Sequence, residues 1–106
     1  AVLIRAVEAV RGIDWMMANR GCAPPPKPGQ IGGGPGKLCQ ALAIDRSHDG
    51  VSLIDGVLRI TRGQPVEPGS VAHGPRVGID YAGHAVEWTL RFAVRGHPEV
   101  SRPRPG

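Results

Sequence analysis

Apolar residues in this chain come in short runs, and the spacing within each run sorts them into elements. Residues 1 to 8 alternate as a strand, with Val2, Ile4 and Ala6 on one face and Leu3, Arg5 and Val7 on the other. Arg5 is then a cation flanked by core residues. The run opens on Ala1-Val2-Leu3-Ile4 with no polar lead-in, so the sequence reads as cut in mid-fold. From Gly12 to Arg20 the period becomes helical, because Ile13, Met16 and Met17 fall at i, i+3 and i+4 and Gly21 is a natural stop. Trp15 and the two methionines are expected in the core.

Cys22 to Gly36 holds five of the eleven prolines and five glycines, and reads as a loop. Lys37 to Ile44 follows as a short helix with Leu38, Ala41 and Leu42 on one face, entered through Gly34-Pro35-Gly36. Asp45 to Gly50 is turn-like, Val57 to Thr61 a strand, Gln64 to Pro75 a second Pro/Gly loop and Arg76 to Asp80 a short strand. Thr89 to Arg95 alternates, which predicts Leu90, Phe92 and Val94 inward and Arg91 and Arg95 outward. The expectation is one α+β unit over residues 1–101, β-rich, with two short helices, long Gly/Pro loops and a disordered tail over 102–106.

Composition sharpens this picture. With 16 Gly and 11 Pro in 106 residues and four aromatic residues, the chain is one domain at most. A domain of this length buries roughly 60 to 70% of its unfolded surface, which leaves little margin. Eleven Arg and two Lys against nine carboxylates give a formal charge of +4, which favours an anionic partner such as nucleic acid. Arginine's forked, permanently charged group suits phosphate, although a GC-rich genome produces the same Arg/Lys ratio. Two cysteines, Cys22 and Cys39, allow one bridge, but a disulfide scaffold uses more, so reduced thiols in a cytoplasm are expected. No apolar run approaches the roughly 20 residues of a membrane helix, so the protein is expected to be soluble.

The chemistry-bearing motifs are few. Gly32-Gly33-Gly34-Pro35-Gly36-Lys37-Leu38 is not a P-loop, since Ile31 and Leu38 stand where that motif needs Gly and Ser or Thr. It still places a lysine in a glycine-lined helix start, where main-chain N–H groups and a cation can hold one phosphate; a simple tight turn is the alternative. His48, His73, His84 and His97 are scattered, without the spacing of a zinc site. The serines carry no nucleophile motif. Arg5 is costly to bury unless an anion, a water network or a carboxylate elsewhere in the fold meets it.

In order along the chain, Ala1-Val2-Leu3-Ile4-Arg5-Ala6, Gly34 through Leu42, Pro75-Arg76-Val77-Gly78-Ile79, Leu90-Arg91-Phe92 and Gly96-His97-Pro98-Glu99-Val100-Ser101 resemble the carboxy-terminal half of the alkyladenine (3-methyladenine) DNA glycosylases. The loops 21–33 and 47–74 match weakly. The resemblance implies a curved, partly open, barrel-like antiparallel sheet. It also implies a monomeric repair enzyme that flips an alkylated purine from double-stranded DNA and hydrolyses its glycosidic bond without metal or cofactor. By position, Arg5 resembles the arginine that holds the attacking water with a catalytic glutamate, and Val77 the residue whose carbonyl contacts that water. Lys37 and Gly78 resemble groups at the DNA backbone.

The family's catalytic glutamate, base-stacking side chains and duplex-wedging tyrosine belong to its amino-terminal half, which these 106 residues do not include. Ala9 stands where a proline is usual and Gly33 where an asparagine is usual. The expectation is a bacterial, nucleoid-associated repair glycosylase chain with little or no activity alone. The alternative is a non-catalytic basic module that binds nucleic acid or another protein.

Overall fold

The computed structural model describes residues 1–101 and 103–105. Helix α1 spans Ile13–Arg20 and helix α2 spans Pro35–Ala41; strands β1 (Val71–Gly74) and β2 (Arg91–Val94) form a two-stranded antiparallel sheet. Single 3₁₀ turns cover Arg46–His48 and Pro68–Ser70, and a longer 3₁₀ segment, Asp80–Glu87, is kinked at Gly83. The fold is a small α+β unit with an open sheet, as the sequence predicts in class.

The helices carry the core. Met16, Met17, Ile31 and Ala41 are buried together, with Ile13, Cys22 and Leu42 packed against them. Gly21, at φ 65°, ends α1 in the left-handed conformation that glycine adopts without strain, and the Cys22 N–H then reaches the Met17 carbonyl at 2.9 Å. The Asn19 amide donates to the Ala41 carbonyl at 2.9 Å and Arg20 Nε to the Gln30 carbonyl at 3.0 Å, which ties α1 to α2 and to the loop between them. Helix α2 starts at Pro35 rather than Lys37, because proline's fixed φ and absent N–H suit the first helical turn. Trp15 is 53% exposed, so the methionines enter the core without it.

The strands depart further from the sequence pattern. Residues 1–8, Val57–Thr61 and Arg76–Asp80 form no strand: each lacks a backbone neighbour to complete a ladder. Val57 and Ile60 lie at the surface. Strand β1 instead emerges from the end of the second Pro/Gly loop and pairs with β2 in the register Val71↔Val94, Ala72↔Ala93, His73↔Phe92 and Gly74↔Arg91. The facing of β2 is reversed as well. Arg91 is 7% exposed, whereas Leu90, Phe92 and Val94 are 51%, 58% and 40% exposed. Burial of Arg91 is compensated because its guanidinium donates to the Ser101 carbonyl at 2.7 Å and to the Pro103 carbonyl. Of the expected tail, residues 102 and 106 lie outside the described residues.

The chain exposes 8173 Å², where a compact protein of its 11.2 kDa mass exposes about 5,700 Å². Its radius of gyration, 15.0 Å, likewise exceeds the roughly 13 Å of a compact domain of this length. Exposed apolar side chains occur along much of the chain, at Val2 to Ile4, Ile54 to Ile60, Tyr81 and Leu90 to Val94 among others. Among the described residues no helix is long and apolar enough to cross a membrane.

Candidate functional site

The first eight residues run extended and are fixed at their far end. The Val7 N–H donates to the Gly32 carbonyl at 2.9 Å, and Gly32 is required there: a Cβ would stand 2.2 Å from the Val7 carbonyl oxygen. One residue on, the Glu8 carboxylate lies 2.7 Å from His97 Nε2, while His97 Nδ1 accepts the Glu99 N–H at 3.1 Å. That second bond makes Nδ1 the unprotonated nitrogen, so Nε2 carries the proton that Glu8 accepts. The opening segment is therefore clasped between the glycine-rich turn before α2 and the turn after β2.

This arrangement walls a trough of about 1050 Å³. The opening segment forms one side, residues 90–94 another, and Arg76, Val77 and Ile79 contribute from the connection between the strands. Three guanidinium groups, those of Arg5, Arg76 and Arg91, share it with two carboxylates, Glu8 and Glu99. Among the described residues, Arg5 Nε and Arg76 Nε are buried without a hydrogen-bond acceptor, and one Glu99 carboxylate oxygen, Oε2, is buried without a donor. Burial, and then the neighbouring charge of Arg5, lower the pKa of Arg91. A cationic trough with apolar walls and unsatisfied N–H donors is suited to an acceptor oxygen carrying negative charge, or to a water held between such groups.

Of the four residues singled out from sequence, the fold brings Arg5 and Val77 to this one trough. Lys37 and Gly78 are not part of its lining. Lys37 is exposed on the first turn of α2, its ammonium donating to the Gly29 carbonyl at 3.2 Å, and Gly78 is exposed at φ 74°. Sequence reasoning placed Arg91 in solvent and assigned no site role to Arg76, Glu8 or His97. The signal for Arg91 was present, as a cation inside an alternating apolar run, but its burial depends on main-chain carbonyls ten and twelve residues further on.

A family model described as methylpurine-DNA glycosylase matches residues 1–98, and so takes in the opening segment, Arg76 to Ile79 and residues 90–94 of the trough, but not Glu99, Val100 and Ser101. The chain belongs to the methylpurine-DNA glycosylase family. A protein of Myxococcus xanthus named as a 3-methyladenine DNA glycosylase is 40% identical over 107 aligned positions, covering 100% of this chain and 48% of the relative. Proteins of the same name from Oceanobacillus iheyensis and Chlorobaculum tepidum are 43% and 33% identical, over 96% and 100% of this chain and 49% and 48% of theirs. The chain thus spans about half the length of the curated relatives it matches.

Proposed function

We propose that the chain supplies the carboxy-terminal part of a DNA repair glycosylase that acts on double-stranded DNA, flips an alkylated purine and hydrolyses its bond to deoxyribose. The observation that supports this most directly is the buried, acceptor-free Nε of Arg5 on the same trough as Val77. As the glycosidic bond breaks, the sugar gains oxocarbenium character, so the site needs an oriented water and a deprotonated carboxylate more than a strong acid. A fixed guanidinium orients both, and the Val77 carbonyl adds an acceptor for the water. Arg5 and Val77 are the water-positioning groups in this reading.

Lys37, beside the main-chain N–H groups of α2, and the exposed turn at Gly78 contact the DNA backbone, where such contacts position the duplex without reading its sequence. The reading includes a monomer acting in a bacterial cytoplasm.

A chimera tests it. The 106 residues replace the matching half of the Myxococcus xanthus relative, and the product is assayed for alkali-labile abasic sites in duplexes carrying 3-methyladenine or 1,N6-ethenoadenine. Release of the damaged base by the chimera, with a fall of about 10² to 10⁴ in rate for Arg5→Gln, is the expected result. A chimera that folds and binds duplex yet releases no base refutes the reading, as does an unchanged Arg5→Gln rate.

A further inference from the structure

The turn after β2 is built around one ring. Gly96, at φ 68°, reverses the chain, and His97 then bonds at both nitrogens: Nδ1 accepts the Glu99 N–H at 3.1 Å and Nε2–H donates to the Glu8 carboxylate at 2.7 Å. The two bonds hold different parts of the molecule. The first fixes Glu99, which lines both the trough and a smaller pocket of about 240 Å³ beside α1. The second ties down the opening segment, whose other tie is the Val7 N–H to the Gly32 carbonyl. One bond needs a bare Nδ1 and the other a proton on Nε2, so only the neutral ring makes both.

The His97 side chain is 27% exposed, and solvent protons reach it. A second proton goes to Nδ1. That ring N–H and the Glu99 N–H would then be two donors with their nitrogens 3.1 Å apart, and they must separate. At Nε2 the added charge acts in the opposite sense, because the hydrogen bond to Glu8 becomes charge-assisted. Glu99 also gains by leaving: its Oε2 is buried without a donor among the described residues, and a freed carboxylate regains water. The charged groups around the ring are Arg5 and Glu8 on the opening segment, Glu99 on its own turn, Arg76 and Arg91 on the trough, and Lys27 at the smaller pocket. Among the described residues Glu8 is the one carboxylate paired with the ring, so it is the partner that stays.

We propose that His97 is an acid-operated joint. Neutral, it holds the opening segment and the turn after β2 together and keeps Glu99 in the trough wall. Protonated at Nδ1, it releases the Glu99 main chain and opens the turn while keeping Glu8, so the Glu99 carboxylate leaves the wall and the opening segment stays in place. Arg5, Arg76 and Arg91 then face Glu8 alone, and the trough becomes more cationic in acid. The joint is a property of the chain's own conformation and does not rest on glycosylase activity.

NMR of the isotope-labelled 106-residue chain between about pH 8 and 5 tests it. The ring-nitrogen resonances report the tautomer and the uptake of the second proton. Amide–water exchange, corrected for its intrinsic pH dependence, reports the main-chain bonds. The expected result is a neutral ring protonated at Nε2, and Glu99 exchange that rises about tenfold in step with ring protonation while Val7 exchange is unchanged. His97→Asn keeps an acceptor near the Nδ1 position and takes up no second proton, so Glu99 exchange becomes independent of pH. His97→Gln keeps a donor near the Nε2 position but loses that acceptor, so Glu99 exchanges fast at every pH while Val7 stays protected.

A neutral ring carrying its proton on Nδ1 overturns the proposal, as does Glu99 exchange that ignores the charge of the ring. It is equally overturned if Val7 loosens together with Glu99, or if the pH response survives in His97→Asn. The titration of the parent chain decides by itself where a variant fails to fold.

Discussion

Replacing Gly32 with alanine tests how the opening segment is held. The new Cβ would lie 2.2 Å from the Val7 carbonyl oxygen, 3.0 Å from Val7 Cγ2 and 3.2 Å from the Val7 carbonyl carbon. Backbone atoms, not a flexible side chain, must give way. Overpacking of this kind costs about 1–3 kcal/mol, and parting the two segments also breaks the Val7 N–H to Gly32 carbonyl bond, a further ~1 kcal/mol. The sum, about 2–4 kcal/mol, is a large share of the ~5–15 kcal/mol that holds a domain together. Urea unfolding followed by far-UV circular dichroism measures it, provided the transition is two-state. The midpoint should fall by roughly 1–2 M. Gly36→Ala is the matched control, since nothing stands within 4 Å of its Cβ and it lies inside α2; it should gain about 0.5–1 kcal/mol. A Gly32→Ala protein within ~0.5 kcal/mol of the parent, or a Gly36→Ala protein equally damaged, refutes the packing argument.

The other expectations follow from single contacts. Gly33→Asn should destabilise by about 1–3 kcal/mol, because a Cβ there would sit 2.5 Å from the Gly29 carbonyl oxygen; the same urea series measures it. Arg91→Met should cost on the order of 1–3 kcal/mol and release the chain end, since the Ser101 and Pro103 carbonyls lose their donor; limited proteolysis beyond Val100 reads the release. The Asp45 carboxyl accepts hydrogen bonds from the Ser47 hydroxyl at 2.5 Å and the Ser47 N–H at 2.9 Å, and these hold its pKa below the ordinary aspartate value. The sign follows: its contribution is present above the unfolded-state pKa and is lost as pH falls through the lower folded-state value. The Ser47 amide resonance should therefore shift only below the usual aspartate range, and Asp45→Asn should abolish that shift.

Helical order was legible because it is local. The spacing of Ile13, Met16 and Met17 and the glycine at 21 place α1 within a residue of its observed start, and Pro35 explains why α2 begins before Lys37. Strand order was not, because a run becomes a strand only when a second backbone lies beside it. Ala1–Glu8 has the composition of a strand and finds one main-chain bond, at Gly32, whereas Val71–Gly74 sits inside a Pro/Gly stretch and is a strand by virtue of β2. No property of residues 71–74 alone announces that partner.

The same logic explains the reversed facing of β2. Its alternation marks Leu90, Phe92 and Val94 as residues to be covered and Arg91 as a residue to be wetted, and that marking is correct for the surface they build. What differs is the source of the cover. The apolar row lines a trough that the described residues leave open, while Arg91 is drawn inward by carbonyls at the end of the chain and meets Arg5 from the other side. Two guanidiniums on one apolar-walled trough repel each other, and the described residues provide no acceptor for Arg5 Nε. A negatively charged group entering the trough would relieve the repulsion and the unsatisfied donor in one step. Anion entry should therefore stabilise this end of the fold more than it stabilises the α1–α2 core, and a thermal or exchange profile resolved by region distinguishes the two.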